Sequence, residues 1–224
     1  MNPLPRLHLI TDDVVLADPR FPDTAERVLE CCGRTVALHV RAPSATGAQL
    51  HAIAARLQTA ALRAGAWLLV NDRVDVAMAV RANGVQLGAR SLPVADARAL
   101  LGTGARIGCS VHGVMEALQA EGDGADFVVL GTIFESASHA GRAAAGTRLV
   151  RDAATRTVLP VIAIGGITPA RIADVADAGA HGAAVLGGLW RAGDPAAAAA
   201  DYVAAAQAAW PQQNSDDLHD GRTR

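Results

Sequence analysis

The chain has 224 residues, is 51% hydrophobic but only 3% aromatic, and carries 20 basic against 22 acidic residues for a formal charge of −2. That length suits one large α/β domain rather than two, and a core made of Ala, Val, Leu and Ile favours many parallel strands under Ala-rich helices. No basic run offers an electrostatic footprint for nucleic acid and no apolar run is long and uninterrupted enough to span a bilayer, so small molecules are the expected partners.

The segment Met1 to Arg6 lacks the apolar core of a signal peptide, and Cys31, Cys32 and Cys109 fit neither a disulfide framework nor a four-ligand zinc site. A soluble, cytoplasmic protein with reduced thiols is expected. Leu7 to Thr11 predicts a first strand ending in Asp12-Asp13, followed by a helix over Thr24 to Cys32. Val36 to Arg41 is the second strand, Gln49 to Ala64 a helix, and Trp67 to Val70 a third strand that delivers Asn71-Asp72-Arg73. Further strand and helix pairs follow: Gly84–Leu87 before a helix at Pro93–Leu101, Arg106–Ser110 before Val114–Ala120, and Phe127–Leu130 before Thr147–Arg156. A polar, Gly/Ala-rich loop from Thr132 to about Gly146 is long enough for a functional lid.

Val161 to Ile164 reads as a strand buried on both faces, and it runs into Gly165-Gly166, with Thr168 placed to cap the next helix and Pro169 suited to its first turn. Strand Gly182–Leu186 and the Ala-rich helix Pro195–Ala209 complete eight units. Strict alternation implies parallel strands joined by right-handed crossovers, and eight units predict closure into a single (β/α)8 TIM barrel over residues 1–210. An open doubly wound sheet is the alternative, but no early G-x-G-x-x-G supports it. Residues 211–224 are polar and aperiodic and read as a disordered tail.

In such a barrel the residues just past each strand converge on one face. Gly165-Gly166 and Gly187-Gly188, after strands seven and eight, suit a phosphate site in which backbone amides meet anionic oxygens; tight turns that need glycine for geometry alone are the alternative. Arg41 shares a strand face with His39, so both point into the barrel, where a guanidinium can hold a carboxylate or pyrophosphate; an arginine leaning across the rim is the alternative. His39, lower down, reads as a hydrogen-bonded core histidine. Asn71 and Asp72 can hold a substrate amine or a cation, although Asp72 can also cap the helix at Arg73. Ser110 and Thr132 line the same face. His112 qualifies as an acid/base group or as a loop-capping histidine, and His139 in the long loop is a second candidate.

Several ordered motifs share this spacing: Leu9-Ile10-Thr11-Asp12, His39-Val40-Arg41, Leu69 to Ala77, Gly84 to Gly88, Ile107 to His112, Ala125 to Phe134, and Val161 to Ile167. With them the chain resembles the thiamine phosphate synthase/TenI family across nearly the whole barrel. The resemblance implies a phosphate-binding barrel in thiamine biosynthesis, with two activities to choose between. The synthase joins a pyrimidine pyrophosphate to a thiazole phosphate using Mg²⁺, whereas the TenI-type enzyme tautomerises a carboxythiazole phosphate without a metal.

Three departures bear on that choice. Ala42-Pro43 stand where the synthase pattern has an acidic residue and a lysine, and Gly88-Ala89-Arg90-Ser91-Leu92 lacks a second metal-binding aspartate. The loop Glu135 to His139 lacks the threonines and lysine of the synthase. On that basis the expected activity is that of an isomerase, a TenI-like thiazole tautomerase without metal or cofactor, whose partner is a small phosphorylated thiazole; a homo-oligomer is left open. The glycine loops would bind its phosphate, Arg41 its carboxylate, and His112 or His139 would move the proton, because Thr132 stands where the tautomerase has histidine. The alternatives are a Mg²⁺-dependent synthase and a catalytically silent barrel that binds a thiazole phosphate or thiamine phosphate.

Overall fold

The computed structural model describes residues 3–135 and 144–211. Eight parallel strands, each paired with the next and the last with the first, close a barrel. They are β1 Leu7–Ile10, β2 Val36–Val40, β3 Trp67–Asn71, β4 Gly84–Leu87, β5 Arg106–Val111, β6 Phe127–Leu130, β7 Val161–Ile164 and β8 Gly182–Val185. The (β/α)8 expectation therefore holds. Successive side chains along each strand point to opposite faces, which sorts the apolar residues into two clusters. Ile10, Ala37, Trp67, Leu69, Phe127, Val129, Ile162 and Ala184 fill the barrel interior. Leu9, Leu38, Val40, Val70, Ile107, Leu130 and Ala163 lie in the larger cluster formed with the surrounding helices.

Those helices are α1 Asp13–Ala17, α2 Phe21–Cys32, α3 Gly47–Ala64, α4 Val74–Val80, α5 Val94–Leu101, α6 Val114–Gly122, α7 Gly146–Ala154, α8 Ile172–Asp177, α9 Gly187–Trp190 and α10 Pro195–Ala209. None is long and apolar enough to cross a membrane, among the described residues. α3 opens on a full capping box between Thr46 and Gln49, and α10 on Asp194, whose side chain accepts from the amides of Ala196 and Ala197.

Local details differ from the sequence expectation in four places. Asp12 caps the extra helix α1, and α2 starts at Phe21 because Pro22 suits its first turn. Thr168 makes no side-chain cap, since a 3-10 turn over Pro169–Arg171 intervenes before α8. The helix after β3 starts from Arg73, and Asp72 does not cap it. Gly187-Gly188 open a short helix rather than a loop. The long loop's central residues 136–143, with His139, and the tail 212–224 lie outside the described residues.

Two fully buried histidines fill the polar part of the interior. His8 Nε2 lies 3.1 Å from the Pro5 carbonyl and His8 Nδ1 lies 2.7 Å from His39 Nε2. Burial pushes the His8 imidazolium well below the usual histidine range, helped by the adjacent His39, and burial likewise lowers His39 to about 3. Both rings are therefore neutral in the folded protein near neutral pH.

The sign of the resulting pH dependence follows. Below about pH 6.5 the unfolded chain takes up protons that the folded interior refuses, so stability is fully present above that pH and declines as pH falls towards 3. At pH 5 the proton refused by His39 costs about 2 kcal/mol, and His8 acts in the same direction. Urea unfolding should show a clearly lower midpoint at pH 5 than at pH 7.5, with the difference reduced in His39→Leu; equal midpoints in the wild type would contradict the assignment.

Candidate active site

The C-terminal ends of the strands bring the expected residues to one mouth. Arg41 follows β2 and is half-buried, Asn71 closes β3 almost fully buried, and Ser110 near the end of β5 is exposed. Thr132, Gly165, Gly166 and Gly187 are partly exposed around the same rim, and Gly188 is exposed. Thr11 sets the height of Arg41: its hydroxyl accepts from the Arg41 amide at 2.8 Å and lies 3.0 Å from the Arg41 carbonyl. Among the described residues the Arg41 guanidinium enters no ion pair, which leaves its donors free for a ligand.

Beside Arg41 the wall of the mouth is polar and uncharged. Asn71 and Gln86 are register partners on β3 and β4, and Gln86 Nε2 donates to Ser110 Oγ at 3.0 Å. Gly108 makes room for this, because a Cβ there would collide with Gln86 Oε1 and the Phe127 ring. His39 Nδ1, Asn71 Oδ1 and Gln86 Oε1 are buried and have no hydrogen-bond partner. Orphaned acceptors of this kind are costly unless something supplies donors.

Asp72 adopts a left-handed backbone with φ +62°, which turns its carboxylate towards the β4 loop. Its Oδ1 accepts from the Gly88 amide at 3.1 Å and from the Ser91 hydroxyl. His112 is exposed; its amide donates to Glu116 Oε2 and its Nδ1 donates to the Gly131 carbonyl at 2.7 Å. That bond commits Nδ1 as a donor, so Nε2 is the ring nitrogen left for a ligand.

The glycine turns have two sides. Gly165 and Gly166 have φ of +104° and +60°, and Cβ atoms there would meet Thr132, Phe134 and Glu135 of the β6 loop. Gly188 leaves space for the Tyr202 hydroxyl, and a Cβ on Gly187 would stand 2.9 Å from an Arg191 guanidinium nitrogen. Glycine is thus demanded by close packing, as the geometric alternative required. Packing still leaves anion-binding capacity: the first-turn amides of α9 at Gly187 and Gly188 have no intrahelical acceptor, and no backbone hydrogen bond among the described residues uses the Gly166 amide.

Two cations flank these turns and were not singled out from the sequence. Arg171 donates to the Gly166 carbonyl at 2.8 Å and lies over the Phe134 ring at 4.7 Å. Arg191 pairs with Asp12 at 2.8 Å and so ties the β8 loop to the β1 loop. Their spacing, five residues beyond Gly166 and four beyond Gly187, was the available signal. A surface cavity of about 660 Å³ lies outside the barrel, lined by Arg20, Phe21, Arg27, Trp190 and Arg191, and holds none of the expected site residues.

Comparison with known proteins shows the family. A family profile described as thiamine monophosphate synthase matches residues 7–189. The chain is similar to a thiamine-phosphate synthase of Salinispora arenicola (strain CNS-205), 39% identical over 210 residues, 92% of this chain and 99% of the relative. It is also similar to one of Methanoculleus marisnigri, 38% identical over 207 residues, 90% of this chain and 97% of the relative. Among solved structures, a thiamine phosphate pyrophosphorylase from Pyrococcus furiosus superposes with a TM-score of 0.79 at 29% identity, over 91% of this chain and 96% of that one.

These relatives overturn the expected isomerase, because they are named as synthases, which are transferases. The departures that favoured the tautomerase stand at three short stretches, 42–43, 88–92 and 135–139, whereas the correspondence with synthases covers nearly the whole chain. Side chains at three places carry less weight than the whole barrel.

The Gly165 turn can be tested without any ligand. Gly165→Ala would hold an L-residue at φ +104° with its Cβ 2.6 Å from Thr132 Cγ2, and should destabilise the fold by about 1–3 kcal/mol in urea unfolding. An unchanged midpoint would contradict that packing.

Proposed function

The chain belongs to the thiamine monophosphate synthase family of thiamine biosynthesis, and we propose that it is itself a thiamine-phosphate synthase that couples a pyrimidine diphosphate to a thiazole phosphate. Correspondence with a named synthase over 92% of the chain carries the proposal. The chemistry of the mouth supports it. Coupling forms a bond from the thiazole ring nitrogen to carbon and breaks the carbon–oxygen bond to diphosphate, which leaves with the electron pair. Such a displacement is helped chiefly by handling negative charge and orienting two rings, and no side chain has to move a proton. Thr132 in place of a histidine is then no obstacle, and His112 serves to tie β5 to the β6 loop.

On this view the glycine amides of the β7 and β8 turns take the thiazole phosphate, with Arg171 and Arg191 adding positive charge at their flanks. Arg41 meets the diphosphate with its free fork, and the exposed Arg90 beside Ser91 supplies charge that the family lysine would bring. The pyrimidine lies against Asn71, Gln86 and Ser110, and Thr132 bounds the opposite wall.

Magnesium is commonly held by one or two carboxylates together with substrate phosphates rather than by an all-protein cage. Asp72 is a single carboxylate whose Oδ1 is held by Gly88 and Ser91, a donor set that suits an ion arriving with the diphosphate. When bound, the ion supplies positive charge to the departing diphosphate. Asp72, steadied by Ser91, would hold it.

Purified protein given both phosphorylated halves and Mg²⁺ should form thiamine phosphate and release pyrophosphate; no coupling under these conditions overturns the proposal. Arg41→Ala should lower kcat/KM about 10- to 100-fold through the pyrimidine substrate while leaving KM for the thiazole phosphate nearly unchanged. Asp72→Asn should lower turnover roughly 100-fold and raise the Mg²⁺ concentration needed for half-maximal rate.

A further inference from the structure

The buried histidines form a chain of fixed polarity that ends at the pyrimidine wall. A carbonyl can only accept, so the contact between Pro5 O and His8 Nε2 places the His8 proton on Nε2. The ring is neutral, so His8 Nδ1 is a bare acceptor, and the 2.7 Å contact to His39 Nε2 must be donated by His39. His39 is neutral as well, so its one proton is used there and Nδ1 is an acceptor with no partner.

The next residue in the chain is Asn71. Leu69, the register partner of His39, points into the barrel, so Asn71 two residues on shares that inward face beside His39, and its Oδ1 is also an orphaned acceptor. Two neighbouring acceptors, one of them on an amide, are resolved by a half-turn of that amide about χ2. In that orientation Asn71 Nδ2 would donate to His39 Nδ1, and Oδ1 would turn away from the histidine as an acceptor for a ligand. Gln86 Oε1, one strand on, is a second acceptor, because the Gln86 amide nitrogen is committed to Ser110.

We propose that His8 is a positioning residue which, by holding His39 as its Nε2–H tautomer, fixes Asn71 Oδ1 as an acceptor and makes the β3–β4 wall select a pyrimidine edge that carries N–H groups. An amino-substituted ring satisfies this wall. A ring with a carbonyl at that edge sets acceptor against acceptor and leaves buried groups unpaired, the situation in which enzymes discriminate most strongly. The pyrimidine part of the proposal rests on the synthase assignment; the tautomer chain does not.

Two measurements test it. In protein labelled with ¹⁵N-histidine, the His39 ring should show a protonated Nε2 and a bare Nδ1, and His8→Phe, which removes the acceptor, should convert this into a mixture of tautomers. His8→Asn, whose side-chain oxygen can accept in the same place, should restore the wild-type pattern. A His39 ring protonated on Nδ1, or one unaffected by His8→Phe, overturns the proposal whether or not the protein is a synthase. The second measurement compares a 4-aminopyrimidine diphosphate with its 4-oxo analogue.

Wild type should favour the amino compound by about 100-fold in kcat/KM, His8→Phe should reduce that ratio to less than about 10-fold, and His8→Asn should recover it. A purely structural His8 would slow both compounds alike and leave the ratio unchanged, which also overturns the proposal. If neither compound reacts, the synthase assignment fails, and the same ratio read from equilibrium binding of the two compounds decides the selectivity.

Discussion

Strands of four to six residues closed into a barrel can each send only two or three side chains inward, and this scarcity governs everything at the mouth. The interior must be filled completely by about twenty positions, with few aromatic rings to do it. Where a large residue enters, a neighbour must give way: Gly108 yields its side-chain space to Phe127 and Gln86 together. The same economy explains why His39, Asn71 and Gln86, at 0–9% exposure, sit in the upper interior. They are the last inward positions before the rim, where β2, β3 and β4 run out of strand, so an unpaired acceptor there faces the route by which a ligand arrives.

The strands that were most legible are buried on both faces and read as apolar runs, as Val161 to Ile164 does. The ordering of the mouth was legible for the same reason: once the strands are placed, Arg41, Asn71 and Ser110 follow from period two. Contacts set by distant parts of the chain were not legible. Nothing near Asp12 announces that Arg191 will reach it from 179 residues away, and an arginine on a short helix looks like a solvated face. Asp72 offered a cap or a ligand; the structure excludes the cap, and the positive φ and the hydrogen bond to the β4 loop that accompany this have no signature in the local sequence.

The isomerase expectation rested on side chains absent at 42–43, 88–92 and 135–139, whereas charge on a phosphate can be met by any guanidinium or amide brought near it. Arg171 and Arg191 arrive at the glycine turns from positions that a motif does not record. A barrel rim is assembled from eight loops, and positive charge can enter it from any of them. Single-position comparisons are blind to this.

The Tyr202 hydroxyl donates to the Ile167 carbonyl at 3.0 Å and occupies the space left by Gly188. α10 is made after all eight strands, yet its tyrosine is the wedge that seats both the β7 and the β8 turns. Removing α10 would leave all eight strands in the chain but would take this support from the Ile167 carbonyl and the Gly188 turn.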